Sequence, residues 1–146
     1  MDVRVITEPL DPWREIQEFL SAHEELRGQC GAMVVFVGTM RAQNEGDAVQ
    51  SMRLEHYPDM TQAHLEKIAR QAQDQFSLSA VLLRHRVGEI LPGEEIVLVA
   101  VWAEHRKAAY EGNRFLMEDL KSTAPFWKEE TLEGGERRWV EENTPG

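Results

Sequence analysis

The chain has 146 residues, 16 Lys and Arg against 26 Asp and Glu, a formal net charge of −10 and 42% hydrophobic residues. This length fits one domain, and the apolar content excludes wholesale disorder. The acidic balance argues against a non-specific nucleic-acid or anionic-membrane binder, which needs a basic footprint.

Cys30 is the only cysteine. No intrachain disulfide or multi-cysteine metal site can form, and a reducing compartment, the cytoplasm, is the expectation. The opening MDVRVITEPLDPW lacks the basic start and apolar run of a signal peptide. No apolar stretch approaches the roughly 18–20 residues of a membrane helix.

In chain order, Val3 to Thr7 alternates and reads as a first strand. Asp11-Pro12 marks a helix start, with Trp13, Ile16, Leu20 and His23 at helical spacing and Gly28 as the stop. Cys30 to Met40 is short, apolar and β-branched, which predicts a strand buried on both faces. Arg41 to Ala48 is polar and reads as a loop. Gln50 to Tyr57 alternates, placing Met52, Leu54 and His56 on one face. Asp59 or Thr61 is the expected cap of a second helix, with its stripe through Leu65, Ile68, Ala69, Ala72 and Phe76. Ala80 to Val87 is a strand, Gly88 to Glu94 a turn around Pro92-Gly93, and Glu95 to Ala103 the most apolar strand, expected to be central. A third helix runs from about Lys107 to Ser122 and stops before Pro125. The tail reads as a hairpin, Phe126 to Leu132 and Arg137 to Glu141, around Gly134-Gly135. Crossovers mixed with hairpins predict a single α+β domain over residues 1–146, with a mixed β-sheet, about three helices and a C-terminal β-hairpin.

Basic residues gather where elements end. Arg41 follows one buried strand, His105 and Arg106 follow another, Lys121 lies in the last turn of the third helix, and Lys128 stands just past Pro125. Strand ends that open onto loops commonly hold ligands. Arg, His and Lys converging there would form a pocket for an anion, phosphate above all. Each also has a plain reading: Lys121 complements a helix dipole, Lys128 guards an edge strand, Arg41 is a solvated loop residue and His105 a helix cap. The five histidines show no metal-ligand spacing, and no phosphate-loop, dinucleotide or nucleophile-elbow motif occurs.

Five stretches carry a resemblance: FVGTMRAQNEGDAV (Phe36 to Val49), LEHYPDM (Leu54 to Met60), HRVGEILPGE (His85 to Glu94), EHRKAAYEGNRFLMEDLKSTAPFWKEE (Glu104 to Glu130) and the closing Arg138-Trp139. Together they resemble the large, catalytic subunit of molybdopterin synthase, in the family's order over nearly the whole chain. The resemblance implies a sulfurtransferase of molybdenum cofactor biosynthesis. Its substrate would be a cyclic pyranopterin monophosphate, converted to molybdopterin by installing a dithiolene. The sulfur would arrive as a thiocarboxylate on the C-terminal Gly-Gly of a small ubiquitin-like carrier, within a heterotetramer built on a homodimer of large subunits. No cofactor or metal is implied.

The resemblance further implies that Lys121 and Lys128 are catalytic and that Arg41, His105 and Arg106 bind substrate. Phe36, Met117 and Pro125 fall in pocket-lining stretches. Some members carry a basic residue a few positions after the closing Arg-Trp, where this chain has Glu141-Glu142-Asn143. Two other readings stay open: a module that binds an anionic pterin, nucleotide or ubiquitin-like partner without turnover, and a dimerisation domain whose Trp13, Trp102, Trp127 and Trp139 merely fill cores and interfaces.

Overall fold

A computed structural model describes residues 1–140. The chain opens with β1 (Asp2–Ile6) and α1 (Pro12–Ala22). Asp11 caps α1, accepting from the Arg14 N–H at 3.2 Å, while Pro12 occupies the first turn, where a missing N–H leaves nothing unsatisfied. The helix ends well before Gly28. His23 leaves it, and a 3-10 turn at Glu24–Leu26 carries the chain on. Its buried stripe is Pro12, Ile16 and Phe19, so the expected stripe through Trp13 is corrected: Trp13 is 65% exposed.

The strands β2 (Ala32–Thr39), β5 (Ala80–Arg86) and β7 (Glu95–Ala103) join β1 in a four-stranded sheet of order β1-β5-β7-β2. β1 runs parallel to β5 and the other pairs are antiparallel. β7 is an inner strand, as its apolar run predicts, and is buried from Val97 to Ala103. Its alternation serves two cores. Val97, Val99 and Val101 pack toward α2 (Pro58–Phe76) and α3 (Arg106–Ser122), while Leu98, Ala100 and Trp102 pack toward α1. Trp102 stacks on Phe19 there.

β2, expected to be buried on both faces, is an edge strand with Met33 and Phe36 exposed. An apolar run does not by itself distinguish a central strand from an edge strand. α2 begins at Pro58 with Tyr57 as its N-cap and no side-chain cap bond, so neither Asp59 nor Thr61 caps it.

The second sheet contains β3 (Gln43–Asn44), β4 (Asp47–His56), β6 (Gly88–Ile90), β8 (Phe126–Leu132) and β9 (Arg137–Val140). Its order is β3-β4-β8-β9, with β6 also pairing β4. The polar stretch expected to be a loop therefore contains a tight hairpin. Glu45 and Gly46 both take left-handed φ, 52° and 81°, the twist that matches paired strands. The turn expected around Pro92-Gly93 is preceded by the short strand β6. The C-terminal hairpin forms as β8 and β9; Glu141, expected to end it, lies outside the described residues. A third core of Met40, Val49, Met52, Leu54, Val87 and Ile90 fills the junction between the sheets.

Buried Asn113 fastens α3 to the first sheet, donating from Nδ2 to the carbonyls of Val34 on β2 (3.1 Å) and Val99 on β7 (2.9 Å). The last turn of α3, with Lys121, is thereby aimed at the gap between the two sheets.

Candidate active site

Three elements meet at this gap. β8 alternates, and its register pairs Phe126 with His56, Lys128 with Leu54 and Glu130 with Met52. Directly opposed residues share a face, so Lys128 is set on the apolar side of the sheet. α3 supplies Lys121 from its last turn. Arg41 follows Met40, which is pinned at both backbone groups: its N–H donates to Glu94 O at 2.9 Å and its carbonyl accepts from the Gly93 N–H at 2.8 Å.

The result is two adjoining cavities of about 110 and 570 Å³. Arg41, Lys121 and Lys128 border both, with Thr39 and Ile96 between them. The smaller cavity is closed by Asn44, Met52 and Glu130. The larger is walled by Phe36, His85, Met117, Phe126 and Trp127.

Burial and proximity shape the charges. Lys128 is pushed down to about 8, by burial first and then by the Lys121 charge, with Arg41 adding to it and Glu130 opposing it. Glu130 is itself buried and heavily committed. Asn44 Nδ2 donates to both of its oxygens (3.1 and 3.0 Å), and Arg138 Nε donates to Oε1 at 3.0 Å. Arg138 also reaches Asp47 Oδ2 and the Asn44 carbonyl, each at 2.8 Å, so β9 is tied to the β3–β4 hairpin. Glu130, which lines the smaller cavity, thus shares its charge with a guanidinium, while Arg41, Lys121 and Lys128 all border the cleft in a chain of net charge −10.

Such a cleft can hold an anion, stabilise a developing oxyanion with an ammonium, and offer a lysine that exchanges its proton near neutral pH. Among the described residues no three His, Cys, Asp or Glu side chains gather where a metal ion could sit. Among the described residues no helix is long and apolar enough to cross a membrane.

The sequence profile of the MoaE protein matches residues 5–123. The molybdopterin synthase catalytic subunit of Escherichia coli is 46% identical over 115 residues, 79% of this chain and 76% of the relative. The chain belongs to the MoaE family, the catalytic subunits of molybdopterin synthase. A solved molybdopterin biosynthesis MoaE protein from Burkholderia ambifaria is 39% identical, with a TM-score of 0.80 over 99% of this chain and 92% of that one. A solved complex of subunits 1 and 2 of molybdopterin-converting factor from Helicobacter pylori matches with 26% identity and a TM-score of 0.74, over 97% and 92% of the two chains.

The MoaE fold brings together three of the five cations singled out in the sequence. Arg41, Lys121 and Lys128 border the cleft, and so do Phe36 and Met117. Pro125 stands in the turn between Ala124 and Phe126, both of which line it. His105 and Arg106 do not reach it, which corrects the expectation of a single five-cation crevice. His105 caps the far end of α3, 80% exposed and 3.4 Å from the Glu104 carboxylate; Arg106 is exposed beside it. Some 22 Å of helix separates Arg106 from Lys121, at 1.5 Å per residue. Strand ends in the sequence did not reveal that the two clusters lie at opposite ends of one helix. Sequence reasoning misses His85 and Asn44 at the cleft, and it leaves Glu130, with Glu129 beside Lys128, open between charge balance and an orienting pair. Strand alternation was the available signal for Glu130, since it puts Glu130, and not Glu129, on the face of Lys128.

Proposed function

We propose that this MoaE protein converts a cyclic pyranopterin monophosphate to molybdopterin, with sulfur delivered as a thiocarboxylate on the C-terminal Gly-Gly of a small ubiquitin-like carrier subunit. The observation that carries this reading is the seam of Arg41, Lys121 and Lys128 between two cavities. Both reactants are anions, a phosphate ester and a thiocarboxylate, and a shared row of cations draws them side by side. The larger cavity, walled by aromatic and apolar side chains, suits the fused ring.

Arg41 holds the phosphate through its guanidinium. Once the carrier's sulfur has bonded the substrate, Lys121 stabilises the oxyanion that forms as water attacks the resulting thioester carbonyl, whose C–S bond then breaks and leaves the sulfur on the substrate. Lys128, poised to exchange its proton near neutral pH, transfers protons at the reacting centre. Each sulfur given up leaves the carrier as a carboxylate. His105 and Arg106 serve the cleft of a second copy in a homodimer, since on their own chain the length of α3 keeps them from it. The complex of two subunits from Helicobacter pylori supports a partner subunit here, and the lone cysteine supports a cytoplasmic site of action.

Single-turnover conversion with a thiocarboxylated carrier tests the reading. Wild type forms dithiolene product, and Lys121→Ala loses roughly 10²–10³ in rate, the worth of one oxyanion donor, while still binding the carrier. A chain that binds both reactants and yields no product is a binding module instead. Normal conversion by Lys121→Ala removes that lysine from the chemistry.

A further inference from the structure

We propose that His85 contacts the substrate: its Nε2 accepts a hydrogen bond from an N–H or O–H donor on the fused heterocycle held in the larger cavity. The proposal rests on the pterin reading above and deepens it by naming what grips the ring rather than the phosphate.

The imidazole is fixed on two sides. Its plane stacks on Phe126, centroids 4.0 Å apart and 17° from parallel. Nδ1 stands 2.9 Å from the carbonyl oxygen of Arg86. A carbonyl only accepts, so Nδ1 carries the proton and the neutral ring keeps its lone pair on Nε2. Neither contact uses Nε2, and His85 lines the larger cavity.

Burial, helped by the charges of Lys128 and Lys121 and more weakly of His56, pushes the ring down to about 4, so it is neutral in any physiological solution. With its one proton on Nδ1 committed to the Arg86 carbonyl, the neutral ring has none on Nε2 to hand on. Accepting a hydrogen bond is what remains. Arg41, Lys121 and Lys128 are all donors and suit phosphate. A neutral acceptor set among them suits the ring's own donors, which those cations cannot satisfy.

The test uses the full chain and two ligands, the cyclic pyranopterin monophosphate and inorganic phosphate. His85→Phe keeps the stack and removes the acceptor. Its Kd for the pterin rises roughly tenfold, the worth of one hydrogen bond, while phosphate binds as in wild type. His85→Gln, whose amide reaches the Nε2 position, restores affinity; His85→Asn, which reaches only the Nδ1 position, does not. Unchanged pterin affinity in His85→Phe, or rescue by Asn and not Gln, overturns the proposal. A parallel loss of phosphate binding marks a collapsed cleft and a merely structural ring, and overturns it equally. A wild-type chain that binds phosphate and not the pterin overturns the substrate reading as well, whereas failure of the His85 variants alone leaves that reading standing.

Discussion

Replacing Lys128 by methionine should stabilise the protein while disabling it. The side chain is half-buried on the apolar face of β8, and its pKa is pushed from 10.5 to about 8. At about 1.4 kcal/mol per pH unit, holding the ammonium there costs roughly 3 kcal/mol at pH 7, relative to the unfolded chain. Methionine has similar length and flexibility and no charge to desolvate. Lys128→Met should therefore recover about 2–3 kcal/mol at pH 7, a large fraction of a domain's stability. The sign follows from proton linkage. Between about pH 8 and 10.5 the unfolded chain binds more protons at this lysine than the folded one, so wild type gains stability as pH rises through that window. Above it both states hold a neutral amine and the variant's advantage vanishes. Urea unfolding of both proteins at pH 7 and pH 10.5 measures the difference, and titrating groups remote from Lys128 cancel between them. No gain at pH 7, or a gain unchanged at pH 10.5, would show that Lys128 carries no such strain.

Two further outcomes are expected. Glu130→Leu leaves Arg138 Nε and the Asn44 amide without their acceptor; urea unfolding at pH 7 should report a loss of about 2–3 kcal/mol, and the Lys128 amine, deprived of its opposing charge, should titrate below about 8 by NMR. Gly31→Ala sets a Cβ against the Glu104 carbonyl oxygen, and because the obstacle is backbone the start of α3 must shift; thermal unfolding should show a cost of about 1–3 kcal/mol.

Regular elements were legible where one physical signal ruled. The Asp11-Pro12 cap fixed the start of α1, the stripe on α2 fixed its buried face, and the run of β7 and the Gly134-Gly135 turn fixed their elements within a residue or two. What failed was relational. β2 and β7 read alike as apolar runs, yet one is an edge and the other central, and only the pairing of the whole sheet separates them. The hairpin at Glu45-Gly46 hid because a polar stretch of eight residues fits a loop equally well. At the site, element ends misled. His105 and Arg106 look like partners of Lys121 because each stands where an element ends, yet α3 runs between them and holds them apart. Asn44 and Arg138, far apart in sequence, meet on Glu130.

The clasp made by Arg138 has a consequence for biosynthesis. It comes from β9, eight residues after the carboxylate it holds and more than ninety after the hairpin. No nascent polypeptide short of that arginine can make the ties that join Glu130 to the hairpin through β9, so the floor of the smaller cavity sets late in the synthesis of the cleft.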